Sequence, residues 1–227
     1  MRCPIRFALY FTPPVDYPLV DRAAGWLGRD AFGGALTAIP EARASVTESA
    51  RRYGFHATLK APFRLRKGES VEALETALDR FAREAAPVTI PVLALEQSGR
   101  FFALVPDAQP AELTALAARI VEGFEPFRAP LSDAEIAKRK PETLPKPERD
   151  NLLRWGYPYV MDQFRFHMTL TDKIALEESE AMRAALTREF APFIGKPLAV
   201  DHLALFIEPA PGAPFTVRKL LKLEGRA

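Results

Sequence analysis

Every second residue of the segment IRFALYFT, residues 5–12, is a large hydrophobic side chain. Side chains alternate between the two faces of an extended strand, so this period predicts a strand with one buried face. The intervening positions, Tyr10 among them, fall on the opposite face. Residues 55–63 and 164–171 alternate in the same way, and each is predicted to form a further strand.

Hydrophobic residues three or four positions apart predict helices at residues 17–29, 70–85, 110–124 and 177–190. Short apolar segments predict strands at 88–97, 100–106, 197–208 and 214–223. The order strand, helix, strand, strand therefore occurs twice along the chain. We expect an α+β fold in which two antiparallel β-sheets line a central cleft and the helices lie outside.

Residues 126–162 differ from both halves because they are rich in proline and in charged residues. Ser132 and Glu135 have the spacing of a capping box, which predicts a short helix after Ser132. We expect a single bilobal domain with lobe one at about 1–125, an insertion at about 126–162 and lobe two at about 163–227. The insertion is predicted to be a lid or a bridge.

Composition sets limits on the function. The 227 residues include 31 Lys and Arg against 29 Asp and Glu, a balance that argues against a nucleic-acid coat or a membrane-surface protein. A local cationic site is compatible with this nearly balanced net charge. The single cysteine, Cys3, excludes an intrachain disulfide, and no segment approaches the roughly 18 apolar residues of a membrane span. We expect a cytoplasmic protein.

Two of the three histidines occur in the same tetrapeptide pattern, His-x-Thr-Leu, 111 positions apart. On a strand, His56 and Thr58 share one face, and His167 and Thr169 do the same, about 7 Å apart along the chain. Chance duplication of this pattern is improbable, so we expect one site built from both motifs. His202 lacks the pattern and is interpreted as structural.

Two histidines on opposite sides of a phosphate can act as general base and general acid near neutral pH, and a threonine hydroxyl can donate to a phosphate oxygen. Lys60 and Arg165 fall on the faces of the histidines and add positive charge for phosphate, unless they are solvated edge charges. Tyr10 is predicted either to line the cleft or to cover the sheet surface. These residues suffice for phosphodiester cleavage by acid–base catalysis.

Other kinds of site have weaker support. A catalytic zinc site usually has three protein ligands, and neither motif contains Cys, Asp or Glu. The glycine-rich fingerprints of nucleotide-binding loops are missing from the sequence. We therefore expect no metal and no cofactor, with a small phosphorylated molecule as the substrate. No obligate protein partner is indicated.

The paired motifs resemble those of the 2H phosphoesterase superfamily. The segments YGFHATLKAPF (53–63) and WGYPYVMDQFRFHMTLT (155–171) are similar to a bacterial branch labelled as a phosphonate metabolism protein. The resemblance implies a bilobal, pseudo-twofold fold and metal-independent opening of a cyclic phosphodiester. It implies that His56 and His167 are the acid–base pair and that Thr58 and Thr169 bind phosphate oxygens.

The phosphonate label implies a sugar cyclic phosphate such as ribosyl 1,2-cyclic phosphate, beside 2′,3′-cyclic nucleotides. One alternative is RNA end processing or 2′-5′ RNA ligation, which requires a basic track. Only RRYG (51–54) and AKRKPETLPKPER (137–149) are candidates for that track. A second alternative is a nucleotide-binding protein without catalytic activity.

Overall fold

The computed structural model describes residues 5–226, so Cys3 lies outside the described part of the chain. The strands are β1 (Arg6–Phe11), β2 (Ala57–Phe63), β3 (Val88–Ile90), β4 (Leu93–Ser98), β5 (Phe101–Pro106), β6 (Met168–Thr169), β7 (Leu198–Val200), β8 (His202–Glu208) and β9 (Thr216–Lys222). The helices are α1 (Pro18–Leu27), α2 (Glu41–Ser45), α3 (Glu48–Tyr53), α4 (Val71–Glu84), α5 (Ala111–Gly123), α6 (Asp133–Lys138), α7 (Lys146–Trp155) and α8 (Ser179–Phe190).

Seven strands form one antiparallel sheet in the order β4-β5-β6-β2-β1-β8-β9, and β3 pairs with β7 in a separate ribbon. The α+β prediction is confirmed. The two expected sheets are joined, however, because β2 and β6 pair through Ala57 and Met168. This short junction, the β2–β6 seam, divides the large sheet into a part containing β4, β5 and β6 and a part containing the other four strands.

The parts of the sheet do not follow the lobes predicted along the sequence. Strands β4 and β5 precede residue 125, yet they form a sheet with β6, which follows residue 163. Strands β1 and β2 likewise lie beside β8 and β9. Each part of the sheet thus combines strands from both predicted lobes, which local patterning cannot reveal because strand pairing is a long-range property.

The predicted strand at 164–171 is shorter than expected, since only Met168 and Thr169 belong to a ladder. Before them, the amide side chain of Gln109 takes the place of a neighbouring strand. Its Oε1 accepts from the backbone N–H of Phe166 at 2.7 Å, and its Nε2 donates to the carbonyl of Phe164 at 3.2 Å. The backbone polar groups are satisfied without a ladder.

Both faces of β1 are covered, whereas the sequence predicted one buried face. Phe7, Leu9 and Phe11 belong to the main hydrophobic core, which also contains residues of α1, α4, α5 and α8. On the other face, Ala8 and Tyr10 pack in a smaller cluster with Phe206 and Phe215 among its members. The strand lies between β2 and β8, so it is central in the sheet.

Residues 126–162 are joined to the rest of the fold by backbone hydrogen bonds near their N-terminal end. The backbone N–H of Ala129 donates to the carbonyl of Arg64 at 2.8 Å, and that of Arg66 donates to Phe127 at 2.9 Å. The predicted capping box is present at the start of α6, with Ser132 and Glu135 bonded to each other's backbone. This insertion brings Tyr157 and Arg139 to the sheet face that carries both motifs.

No helix within residues 5–226 combines the length and the apolar character needed to cross a membrane.

Candidate active site

The two His-x-Thr motifs lie side by side at the β2–β6 seam. Because Ala57 and Met168 are partners in an antiparallel pair, His56 stands opposite Thr169 and Thr58 stands opposite His167. Directly opposite side chains have Cβ atoms about 5 Å apart, and diagonal neighbours such as the two histidines are roughly 7–8 Å apart. This spacing leaves room for a phosphate group between the two imidazoles.

A cavity of about 320 Å³ opens over this pair of motifs, and we call it the motif cavity. Five of the seven site residues predicted from the sequence line it together: Tyr10, His56, Thr58, His167 and Thr169. Its other polar or aromatic lining residues are Arg6, Ser49, Tyr53, Arg139, Tyr157 and Asp172. The volume is at the lower end of the range for small-molecule sites, which suits a compact ligand.

Both imidazoles are oriented by the same local contact. Nδ1 of His56 lies 2.8 Å from the carbonyl of Gly54, and Nδ1 of His167 lies 2.8 Å from the carbonyl of Arg165. A carbonyl can only accept, so each Nδ1 carries the hydrogen. In the neutral imidazole this leaves Nε2 with its lone pair available. The hydroxyl of Thr58 donates to Nε2 of His56 at 3.2 Å.

Gly54 is required where it stands. Its φ of +76° lies in the left-handed region, and a Cβ at this position would lie 2.5 Å from the Cβ of Ala31. The residue ends α3, and its carbonyl then accepts the hydrogen bond from His56. A side chain here would displace the backbone that orients the first imidazole.

The ring of Tyr10 stacks on that of His56 with centroids 3.9 Å apart and 27° between the planes. The pKa of His56 is lowered to about 4, chiefly by burial and to a smaller extent by the nearby His167, while the bond to Gly54 acts in the opposite direction. His56 is therefore neutral at pH 7. Burial also raises the pKa of Tyr10 well above its usual value, with Tyr53 contributing, so the phenol keeps its proton.

Asp172 connects the second motif to the helix that precedes the first. Its carboxylate accepts from the backbone N–H of Ser49 at 2.8 Å and from that of Ala50 at 3.2 Å. Both donors are in the first turn of α3, where N–H groups have no partner within the helix. The position of His56 therefore depends on a side chain five residues beyond His167.

Lys60 lies outside the site, which corrects the prediction from strand alternation. Its side chain is 3% exposed, and Nζ donates to the carbonyl of Val121 at 2.9 Å and to Glu125 at 2.8 Å. The pairing of β1 with β2 shifts register between Leu9 and Tyr10, so the regular alternation breaks before Lys60. Burial lowers the pKa of Lys60, while the bond to Glu125 opposes this change.

Arg165 is exposed and lies beside the motif cavity rather than in it. Its guanidinium donates to the carbonyl of Phe164 at 2.7 Å and to that of Asp162 at 3.1 Å. It lines a neighbouring cavity of about 670 Å³ that also contains His167 and Tyr157. Its predicted contact with phosphate stays a prediction, whereas its carbonyl bonds directly to His167.

Arg6, Arg139 and Tyr157 line the motif cavity but were missed as site residues. The guanidinium of Arg139 lies 5.3 Å from the centre of the Tyr157 ring. Both belong to the insertion, and their position depends on how it packs. The sequence contained one indication of Arg139, because this residue lies in the basic run at 137–149 that was interpreted as a possible RNA track.

The other predicted basic segment, RRYG, is bound to the protein itself. Arg51 donates to the carbonyl of Ala44 at 3.0 Å, and Arg52 forms an ion pair with the buried Glu208. His202 bonds to Asp201 at 2.8 Å and is not among the residues lining the motif cavity. Within residues 5–226, no three or more His, Cys, Asp or Glu side chains are grouped as metal ligands would be.

The chain belongs to the family described as "Protein of unknown function (DUF1045)", which matches residues 58–216. It is 37% identical over 232 residues to "Ribose 1,5-bisphosphate phosphokinase PhnN" of Janthinobacterium sp. (strain Marseille), covering 97% of this chain and 51% of the relative. It is 33% identical to the protein of the same name from Laribacter hongkongensis (strain HLHK9), covering 96% of this chain and 52% of that relative. The chain thus spans about half the length of these relatives.

Among solved structures, the chain is similar to E. coli LigT complexed with 3′-AMP, with a TM-score of 0.47 and 14% sequence identity. The superposition covers 97% of this chain and 98% of LigT.

Proposed function

We propose that this protein is a metal-independent cyclic phosphodiesterase that opens a small cyclic phosphate by two-histidine acid–base catalysis. The observation that carries the proposal is the crosswise arrangement at the β2–β6 seam, where each histidine faces the threonine of the other motif. One phosphate group can then lie between two imidazoles while two hydroxyls donate to its nonbridging oxygens.

In the proposed reaction, Nε2 of one histidine removes a proton from water as the water oxygen attacks phosphorus. The bond from phosphorus to one ring oxygen breaks, and Nε2–H of the other histidine gives its proton to that oxygen. The products are a phosphate monoester and a free hydroxyl, so one water is consumed. The carbonyls of Gly54 and Arg165 keep each Nδ1 protonated, which reserves Nε2 for these proton transfers.

We assign the base to His56. A general base must be unprotonated before the reaction, and a pKa of about 4 leaves His56 in that form at neutral pH. The hydroxyl of Thr58, which donates to its Nε2, would turn to a phosphate oxygen when the substrate and water enter. His167 then protonates the leaving oxygen.

The substrate we favour is a ribose cyclic phosphate, of the 2′,3′-cyclic nucleotide or ribosyl 1,2-cyclic phosphate type. The motif cavity of about 320 Å³ suits a sugar phosphate. The two relatives are named for a kinase of ribose 1,5-bisphosphate, which supports a ribose phosphate as the substrate. A place in phosphonate metabolism, implied by the sequence resemblance, stays a prediction. RNA ligation is not favoured, since the side chains of Arg51 and Arg52 are held by the protein and only the run at 137–149 is left as a basic track.

The test is a panel of cyclic phosphates followed by phosphorus NMR, which identifies both turnover and the product ester. His56→Ala and His167→Ala should each reduce kcat by about 10²–10⁴-fold, the usual contribution of a general acid or base. His202→Ala is the matched control and should retain activity. Chelators should have no effect. Full activity in either motif variant would contradict the proposal, and binding without turnover would favour a non-catalytic nucleotide-binding protein.

A further inference from the structure

A further cavity of about 670 Å³, distinct from the one that Arg165 lines, adjoins the motif cavity. The two share Arg6, Pro62 and Arg139 in their walls, so a ligand bound between the histidines can extend from one to the other. Its remaining wall comes from the end of β2 and Arg64, from α6 and the residues before it, and from Pro211 between β8 and β9. We call it the cationic cavity.

Positive charge dominates the cationic cavity. Four cationic side chains line it against one carboxylate, that of Glu135. The carboxylate is already bound, because it accepts from the backbone of Ser132 at 2.8 Å and from Arg64 at 2.7 Å. Among residues 5–226, neither Lys138 nor Arg139 forms an ion pair with a carboxylate. Two positive charges are thus available to a ligand.

Helix α6 explains only part of this arrangement. A cation such as Lys138 at the last position of a helix interacts favourably with the helix dipole. That interaction does not account for Arg139, which lines both cavities and lies over the Tyr157 ring at 5.3 Å. Arg6 and Arg64 reach the same cavity from other elements, and they pair with Glu208 and Glu135 respectively.

We infer that the cationic cavity binds a second phosphate group of the substrate while the cyclic phosphate lies between His56 and His167. The substrate is then a small sugar cyclic phosphate with a terminal phosphate monoester. This inference rests on the proposed function and narrows its substrate. Arg139 occupies the boundary between the cavities, and its five N–H donors suit a phosphate on either side.

The first experiment compares two substrates that differ by one group: ribose 1,2-cyclic phosphate and the same molecule with a 5-phosphate. The wild-type protein should have a kcat/KM about tenfold to hundredfold higher for the phosphorylated one, as expected for hydrogen bonds to charged groups. Lys138→Ala and Arg139→Ala should each move the ratio towards one. Lys146→Ala is the control, because Lys146 is an exposed cation of the same insertion that pairs with Asp150.

Equal kcat/KM for the two substrates would overturn the inference, as would a ratio that both variants leave intact. A higher kcat/KM for a short RNA with a 2′,3′-cyclic end than for both sugars would also overturn it, because that result would favour a polynucleotide substrate. If no cyclic phosphate is turned over, the proposed function is wrong. Binding of a second phosphate in the cationic cavity is then tested separately by calorimetry. Tighter binding of ribose 1,5-bisphosphate than of ribose 1-phosphate, lost in Lys138→Ala, supports it, whereas equal or no binding refutes it.

Discussion

His56 and Tyr10 form a stacked pair in the floor of the motif cavity, with ring centroids 3.9 Å apart. The tyrosine covers one face of the imidazole, and desolvation is the main reason for the low pKa of His56. We therefore expect Tyr10, on the neighbouring strand β1, to contribute to the burial that keeps the proposed base unprotonated.

Replacement of Tyr10 tests this relationship. Tyr10→Phe keeps the stacked ring, so the pKa of His56 should stay near 4. Tyr10→Ala removes it and admits water, which should raise the pKa towards the usual value of about 6.5. The measurement is an NMR titration of the His56 ring. Unchanged titration of His56 in Tyr10→Ala would show that the tyrosine ring does not shield the imidazole.

The pH dependence of activity follows from the same pKa. Protonation of the base reduces kcat/KM, so the acidic limb of the profile should fall near pH 4 rather than near 6.5. Initial rates between pH 3.5 and 8 are the measurement. An acidic limb near 6.5 would remove His56 from the role of base and would favour the reverse assignment of the two histidines.

Stability should also depend on pH through His56. The folded-state pKa of about 4 lies below the unfolded value of about 6.5, so between these values the unfolded chain binds more protons. The free energy of unfolding should therefore rise with pH across this window, by on the order of 3 kcal/mol from this group. Urea unfolding of the wild type and of His56→Gln is the measurement, and an equal rise in both proteins would contradict the expectation.

Asp172 is expected to act as a positioning residue. Asp172→Ala leaves two N–H groups of α3 without their acceptor and should lower the free energy of unfolding by about 1 kcal/mol. It should also lower kcat more than it raises KM, because α3 leads directly to His56. Asp172→Asn keeps one acceptor oxygen and should recover part of both losses. A purely structural role would change stability and leave kcat and its pH profile intact.

Lys60→Met distinguishes a buried ion pair from a phosphate contact. The variant keeps the apolar stem but removes the ammonium, leaving Glu125 with Arg128 as its remaining partner. We expect a loss of about 1–3 kcal/mol in the free energy of unfolding and an unchanged KM. A large rise in KM with normal stability would instead support the role in phosphate binding predicted from the sequence.

The sequence was most informative where chemistry repeats within short segments. The duplicated His-x-Thr pattern predicted that His56 and His167 belong to one site. The pattern specifies both the residue types and the strand face on which they lie. Lys60 was misplaced because a register shift on β2 interrupts the alternation that the prediction assumed. The predicted strand at 164–171 was too long because Gln109, a side chain distant in sequence, replaces the ladder there.

Arg139 illustrates a different limit. Its charge was evident in the sequence, but its contribution to two cavities depends on the packing of the whole insertion against β2. The same holds for the order of the strands, which interleaves segments from both ends of the chain. Neither property is encoded in a local period of hydrophobic residues.

The β2–β6 seam also has a mechanical consequence. One residue pair, Ala57 with Met168, joins the two parts of the sheet where these strands meet. A single pair fixes how far the strands slide along each other, but it resists rotation far less than a long ladder does. The two histidines immediately precede the two strands of this joint, and the main hydrophobic core, which holds residues of both parts such as Leu59 and Leu104, continues beneath it. The separation of the two imidazoles therefore depends on side-chain packing beneath the seam more than on backbone hydrogen bonds across it.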